Sequence, residues 1–191
     1  MSRDALLKAL QSAPAASAPG PSGTRFAHLK ALQGHPRALS WLGHLCDTLA
    51  DGNLPESAVD LLGLTKLTPL LKDNGGIRPV AGGECLRKLT ARALVREHRG
   101  ALLAAVGEHQ YGAGRAGGAE ILVHTVQAVA AHRPGHAWVQ LDLANAFNSV
   151  SRRAALDALT GSTRAGSPPD GGALLAARFH LPLLGREWRV G

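Results

Sequence analysis

Aromatic side chains make up only 4% of this 191-residue chain, which leaves little bulky apolar material for a second large core. The two cysteines, Cys46 and Cys85, and the nine histidines lack the spacing of a metal site. Two buried free thiols are typical of a reducing compartment. No apolar run is long enough to span a membrane, and the N-terminus has no signal-peptide pattern. These absences predict an intracellular protein with no secretion signal and no membrane association.

Positive charge is in excess, and it is unevenly distributed along the chain. Lys and Arg number 21 against 14 Asp and Glu, which gives a formal net charge of +7. Residues 61–100 hold eight basic and three acidic side chains, whereas residues 1–60 hold five of each. A surplus of five charges in one fifth of the chain indicates an anionic partner.

The segment from Leu67 to Val80 predicts a β-hairpin. Its centre, Asp73-Asn74-Gly75-Gly76, is a turn signal because Asn and Gly tolerate positive φ, and apolar residues flank it on both sides. The hairpin would place Lys66, Lys72 and Arg78 at an exposed tip or on its flanks. The alternative is that these side chains are simply solvated, as most surface cations are.

Residues 84–105 have the periodicity of an α-helix, with basic residues at offsets of four, four and three. These residues are Lys88, Arg92, Arg96 and Arg99. Such spacing puts the four charges along one face, where a phosphate backbone would relieve their mutual repulsion. A solvated face without a ligand is the alternative that the spacing leaves open.

The apolar run Trp138–Leu141 predicts a buried strand that presents one carboxylate, Asp142, at its end. A carboxylate there is costly to desolvate unless it is paired or binds a cation. Mg²⁺ suits the position because it binds one or two carboxylates together with substrate phosphates. The simpler alternative is an Asp that caps the next helix, for which Ser151 is also a candidate.

Residues 141–150, Leu-Asp-Leu-Ala-Asn-Ala-Phe-Asn-Ser-Val, resemble the first palm motif of reverse transcriptases (RNA-directed DNA polymerases), particularly those of non-LTR retrotransposons. Three upstream segments resemble the same family in the same order. They are the Gly-Pro-x-Gly segment within 19–30, the fingers hairpin at 67–80 and the Gln-Tyr-Gly segment within 110–120. The resemblance covers about residues 19–155.

The resemblance implies a role for individual residues of an active site. Asp142 and the backbone carbonyl of Leu143 would bind the catalytic Mg²⁺. Phe147 would lie under the incoming sugar and exclude a 2′-hydroxyl. Lys72 and Arg78 would contact the triphosphate of the incoming dNTP.

The resemblance also implies an RNA or DNA template-primer as partner. Five basic residues would contact its backbone: Lys88, Arg92, Arg96, Arg99 and Arg115. The family completes its active site with a later aromatic-x-Asp-Asp turn, and no such turn occurs in this sequence. Since two-metal catalysis needs carboxylates from both motifs, we expect an N-terminal fragment that is catalytically incomplete alone. A remaining palm segment that is supplied elsewhere is a further expected partner. The alternatives are a non-catalytic basic nucleic-acid-binding domain and a degenerate remnant.

The expected fold is α+β and mostly helical, with partial polymerase fingers (helices plus a β-hairpin) and a first palm strand. The expected regions are an N-terminal helix and linker at 1–22, a fingers-like region at 23–135, the first palm strand and following helix at 136–160, and a flexible tail at 161–191. A short amphipathic helix is predicted at Ser2–Gln11, and a second helix at about 36–50 with Pro36 in its first turn. The glycine-rich stretch at 112–118 is predicted to be a loop that leads into a third helix, which has Glu120 in its first turn and extends to about Arg133. Trp41, Leu42 and Leu45 are predicted to face a core.

Overall fold

The computed structural model describes residues 1–143, 151 and 153–154, and within them seven longer helices accompany one two-stranded antiparallel sheet. Mixed helix and strand, with helix predominant, confirms the coarse expectation of an α+β chain. The described residues form two compact units, Met1–Glu97 and the part that begins at His98. Helix α1 belongs to the same unit as the hairpin, and the boundaries expected at residues 22 and 135 stay a prediction.

The first unit contains five helices, a 3₁₀ turn and the hairpin. In chain order these are α1 (Arg3–Gln11), α2 (Phe26–Ala31), the 3₁₀ turn (Leu32–Gly34), α3 (Pro36–Ala50), α4 (Glu56–Gly63), β1 (Thr65–Leu71), β2 (Ile77–Gly83) and α5 (Cys85–Glu97). The second unit contains α6 (Arg99–Val106) and α7 (Gly118–His132). None of the helices in the described ranges is long and apolar enough to cross a membrane.

Local sequence signals set the ends of the predicted helices. The Ser2 hydroxyl caps α1 by accepting a hydrogen bond of 3.2 Å from the Ala5 N–H. Helix α3 begins at Pro36, whose fixed φ suits the first helical position, and Gly52 follows its end with φ of 72°. The helices predicted at 2–11, at about 36–50 and from the glycine-rich loop to about Arg133 are all confirmed.

The core of the first unit lies between α1, α3 and α5. Its fully buried side chains are Leu6, Leu10, Cys46, Cys85 and Leu89. Burying a leucine side chain stabilises the fold by about 2–3 kcal/mol before entropy is counted, so these residues dominate the packing energy. Both cysteines are buried free thiols, as predicted.

The single helix predicted over 84–105 is interrupted in the structure. Helix α5 ends at Glu97, His98 leaves helical geometry with φ of −100° and ψ of 15°, and α6 begins at Arg99. Gly100 follows directly and has a low helix propensity. The Glu97 carboxylate also accepts a 2.9 Å hydrogen bond from the backbone N–H of Ser2. Both features favour a break where side-chain periodicity alone predicts continuity.

The predicted first palm strand is not formed in residues 136–143, so that expectation is wrong for this range. Trp138, Val139, Leu141 and Leu143 are exposed, with Leu141 at 87%. A strand needs a neighbour to satisfy its backbone groups, and residues 136–143 pair with no strand in the described part of the chain. Residues 144–150 and 155–160, and the expected tail at 161–191, lie outside the described residues.

Candidate functional site: the basic hairpin and its anchor

The hairpin predicted from the turn signal is confirmed, and its register sorts the side chains onto two faces. Directly opposite residues share a face, and successive residues alternate between faces. The pairs on one face are Lys66–Gly82, Thr68–Val80 and Leu70–Arg78. The pairs on the other face are Leu67–Ala81, Pro69–Pro79 and Leu71–Ile77. One face is therefore cationic and the other is entirely apolar over these pairs.

The turn at the tip closes with the residues that the sequence indicated. The Lys72 N–H donates to the Gly76 carbonyl at 2.8 Å, and the Gly75 N–H donates to the Lys72 carbonyl at 2.9 Å. The Asn74 side chain accepts from the Gly76 N–H at 3.1 Å. Gly75 has φ of 79°, which a residue with a Cβ adopts only under strain. The turn therefore depends on Gly75.

Lys72 and Arg78 line a common hollow of about 460 Å³ at the tip, together with Asp73 and Asn74. Both cations are exposed. Lys66 lies six residues before Lys72, which places it roughly 20 Å away along the strand, at the base of the hairpin. The structure thus groups the two residues expected to contact a triphosphate and separates the third cation from them.

Prolines interrupt both free edges of the hairpin. Pro69 and Pro79 lie opposite each other. Since Lys72 and Gly76 form a hydrogen-bonded pair, strict alternation makes Pro69–Pro79 a non-bonded pair whose backbone nitrogens point outward. Neither nitrogen carries a hydrogen, so each edge lacks a donor at its midpoint. The hairpin consequently offers its faces to a partner rather than its edges.

Glu84 anchors the hairpin base, and sequence analysis did not identify it. Its side chain is buried and accepts two hydrogen bonds of 2.7 Å from Ser22, one from the backbone N–H and one from the hydroxyl. A Cβ on Gly20 would lie 2.8 Å from the Glu84 backbone, so only glycine allows this approach. The segment expected to open the fingers therefore packs where β2 passes into α5. A lone Glu has no motif that would have predicted this contact.

Arg87 lies near the buried carboxylate of Glu84. Its guanidinium donates to the Leu62 carbonyl at 3.4 Å. Burial lowers the pKa of Arg87, and the nearby Glu84 carboxylate opposes that change. Hydrogen-bond donors that satisfy a buried carboxylate reduce its desolvation penalty, and both oxygens of Glu84 accept such bonds from Ser22. Glu84 therefore fits a structural anchor better than a proton-transfer role.

The basic row of α5 lies against the N-terminal segment. Lys88 Nζ donates to the Ala18 carbonyl at 3.1 Å, and Arg92 Nη2 donates to the Ser12 carbonyl at 3.3 Å. Arg96 Nη2 donates to the Ser12 hydroxyl at 2.8 Å. Lys88 also lies 5.8 Å from the Phe26 ring centroid. These three cations share one face, as predicted, but they already contact oxygens or an aromatic ring of their own chain.

Arg99 and Arg115 belong to the second unit. Arg99 donates to the Gly114 carbonyl, and the Arg115 guanidinium lies 5.2 Å from the Tyr111 ring centroid. The break at His98 ends the continuous helical row that was expected to include Arg99. Both arginines are held by contacts within the glycine-rich loop region.

Asp142 and Leu143 are exposed on the segment that follows α7, and Phe147 lies outside the described residues. Within the described ranges, no group of three or more His, Cys, Asp or Glu side chains could hold a metal ion. One carboxylate and one carbonyl do not by themselves fit a two-metal centre. Ser151 accepts a 3.2 Å hydrogen bond from the Ala154 N–H, which matches the capping alternative.

An open apolar groove of about 1090 Å³ crosses the surface of the first unit between α3 and α4. Its lining includes Trp41, Leu45, Leu61 and Leu64. Trp41 is 71% exposed and Leu45 is 44% exposed, so the expectation that they face a core is wrong, whereas Leu42 is buried. Helical periodicity correctly predicted that Leu42 of α3 is buried, but it wrongly included Trp41 and Leu45 in the buried face.

No protein-family model, curated protein or solved structure matches this chain.

Proposed function

We propose that this chain is the fingers region and the beginning of the palm of a reverse transcriptase of the non-LTR retrotransposon type. The parent activity is template-directed DNA synthesis, in which a primer 3′-hydroxyl attacks the α-phosphate of a dNTP. The observation that carries the proposal is the hairpin, which brings Lys72 and Arg78 to one hollow on its cationic face. Those are the two positions that the resemblance assigns to the triphosphate.

Further support comes from the anchor at the hairpin base. The Gly-Pro-x-Gly segment, which is 40 or more residues away in sequence, reaches the base of the hairpin through Ser22 and Glu84. Two of the four segments that carry the resemblance therefore meet at the base of the hairpin. Random similarity of short motifs gives no reason for such a meeting.

Asp142 and the Leu143 carbonyl would supply part of the Mg²⁺ site, and Phe147 would select the deoxyribose. The aromatic-x-Asp-Asp turn that would supply the remaining carboxylates does not occur in this sequence. We therefore expect no nucleotide addition by this chain alone, because metal positioning contributes most of the rate in phosphoryl transfer. Five basic residues would contact the template-primer by exchanging their present contacts within the chain for contacts with its phosphates. They are Lys88, Arg92, Arg96, Arg99 and Arg115.

Photoaffinity labelling with an azido-dATP tests the role of the hairpin directly. The label is expected in the peptide that spans residues 66–80, and Arg78→Ala is expected to reduce labelling at least tenfold. Arg37→Ala removes an exposed arginine from α3 and serves as the matched control. Labelling that is spread over the chain, or that Arg78→Ala leaves unchanged, would contradict the proposal.

A second candidate is a non-catalytic nucleic-acid-binding domain, favoured by the single carboxylate and the exposed, unpaired segment at residues 136–143. It predicts salt-sensitive binding to a primer–template that does not depend on Mg²⁺, with no specific dNTP labelling. Primer-extension assays on the purified chain and on Asp142→Ala complete the comparison. Extension that Asp142→Ala abolishes would contradict this second candidate and the expectation of an incomplete enzyme.

A further inference from the structure

Positive charge converges on one serine hydroxyl at the C-terminal end of α1. Arg96 Nη2 donates to Ser12 Oγ at 2.8 Å, and Arg92 Nη2 lies 3.5 Å from the same oxygen. Lys30 Nζ donates to the carbonyl of the preceding Gln11 at 2.9 Å. Two guanidinium groups therefore contact Ser12, one ammonium group contacts the carbonyl of the residue before it, and all the oxygens that they contact are neutral.

Arg92 also has an unused donor beside this serine. Its Nε atom is buried and has no hydrogen-bond partner among the described residues. A buried donor without an acceptor costs free energy, more so in a charged group. Guanidinium groups bind phosphate oxygens in pairs through two parallel N–H donors. A tetrahedral anion on Ser12 Oγ would supply acceptors for both Nε and Nη2 of Arg92.

We propose that Ser12 is a phosphorylation site, and that Arg92, Arg96 and Lys30 hold the phosphoryl group. The ligand chemistry is a phosphoryl dianion, which is esterified to this chain rather than captured from solution. Ser12 is exposed, and so are the three residues at 14–16 that follow it closely, which makes the segment accessible to an enzyme. The site is intramolecular, so the inference does not depend on the proposed polymerase ancestry.

The modification requires a protein serine kinase with ATP. Ser12 Oγ attacks the γ-phosphorus, an Oγ–P bond forms, and the bond to the bridging oxygen breaks with ADP as the leaving group. The hydroxyl proton passes to a base of the kinase. The unmodified hydroxyl donates to the Ala9 carbonyl at 3.2 Å, and the ester gives up that one bond.

Ser12 lies at the C-terminus of α1, where the negative end of the helix dipole disfavours a phosphoryl group. Here Lys30 and Arg92 already contact the Gln11 and Ser12 carbonyls, which offsets that field. Arg96 remains on the hydroxyl itself. The three cations together therefore favour the dianion despite the direction of the helix dipole.

The test places phosphoserine at position 12 of the full chain during translation and follows its ³¹P resonance against pH. Neighbouring cations stabilise the dianion, so its titration midpoint is expected about one pH unit below that of phosphoserine at position 40. Ser40 lies on the exposed side of α3 and provides the matched control. Arg96→Gln, which changes an exposed side chain, is expected to remove most of the shift.

Equal midpoints at positions 12 and 40 would overturn the proposal, and so would a shift that persists in Arg96→Gln. A second arm adds inorganic phosphate to the unmodified chain, with sodium chloride at equal ionic strength as reference. Phosphoserine at position 12 is expected to raise the melting temperature by about 3 °C, and free phosphate is expected to leave it unchanged. An equal, Arg96-dependent rise with free phosphate would identify a site for a soluble anion instead.

Discussion

The helical base of the first unit and the hairpin that it carries use apolar residues in opposite ways. In the base, Leu10 and Leu89 are completely buried between helices. In the hairpin, Leu71 is 83% exposed and Ile77 is 63% exposed, although both belong to one apolar face. Packing therefore stabilises the base, whereas the hairpin has little packing of its own and depends on how it is anchored. Regions of this second kind are available for binding.

The largest expected effect is a difference in unfolding free energy between two leucine truncations, one in the helical base and one in the hairpin. Leu89→Ala is expected to lower the free energy of unfolding by about 2–5 kcal/mol, because it leaves a cavity in the core. Leu71→Ala is expected to change it by less than about 0.5 kcal/mol. Urea denaturation followed by circular dichroism measures both. Similar losses in the two variants would contradict the division between base and hairpin.

The next largest effect concerns the anchor. Glu84→Gln keeps the side-chain shape but turns an amide NH₂ toward a Ser22 donor and removes the negative charge near Arg87. We expect a loss of about 2 kcal/mol in unfolding free energy. Faster hydrogen exchange at the amides of Gly82 and Gly83 is expected as well.

Glu108→Gln, which changes an exposed carboxylate, is the control for Glu84→Gln, and its effect is expected to stay below about 0.5 kcal/mol. If Glu84→Gln were as mild as this control, the hairpin would not depend on the anchor.

A smaller effect appears at alkaline pH through Cys46. Burial raises the pKa of its thiol above the ordinary value of 9.0, although a hydrogen bond with Thr90 acts in the other direction. Above pH 9 the unfolded chain loses this proton first, so the folded state holds more protons and its stability falls as pH rises. Cys46→Ala is expected to flatten the stability profile above pH 9. Parallel profiles for the two proteins would show that the thiol is not protected by burial.

Short-range sequence signals predicted much of this architecture. Pro36 and Ser2 marked helix starts, and Asp73 to Gly76 marked the turn of the hairpin, because these preferences act within a few residues. The short helices α2 and α4 were missed because six and eight residues give too few turns for a clear period. The break at His98 was missed because the side-chain pattern continues through it.

The candidate site was predicted only in part, for the same reason. The turn signal and its apolar flanks, which are local, predict the hairpin that carries Lys72 and Arg78, whereas the choice of these two cations came from the resemblance. Glu84 could not be predicted, since its partners at Gly20 and Ser22 are more than 60 residues away. The row on α5 was correctly placed on one face, but its contacts with Ser12 and Ala18 depend on tertiary packing. A strand was predicted before Asp142, and none is formed there. The prediction failed because an apolar run does not reveal whether a neighbouring strand is present to pair with it.

The most direct test of the central claim, that Lys72 and Arg78 on the hairpin bind the triphosphate of a dNTP, is the affinity for a fluorescent dATP analogue. Fluorescence anisotropy at one fixed KCl concentration gives the dissociation constant for Lys72→Ala/Arg78→Ala and for Arg3→Ala/Arg37→Ala. The second variant removes the same charge from exposed positions on helices. We predict that the hairpin variant raises the dissociation constant at least tenfold, because each lost hydrogen bond to a charged group contributes about 1.5–3 kcal/mol, and that the control leaves it nearly unchanged. Equal dissociation constants for the two variants would contradict the account.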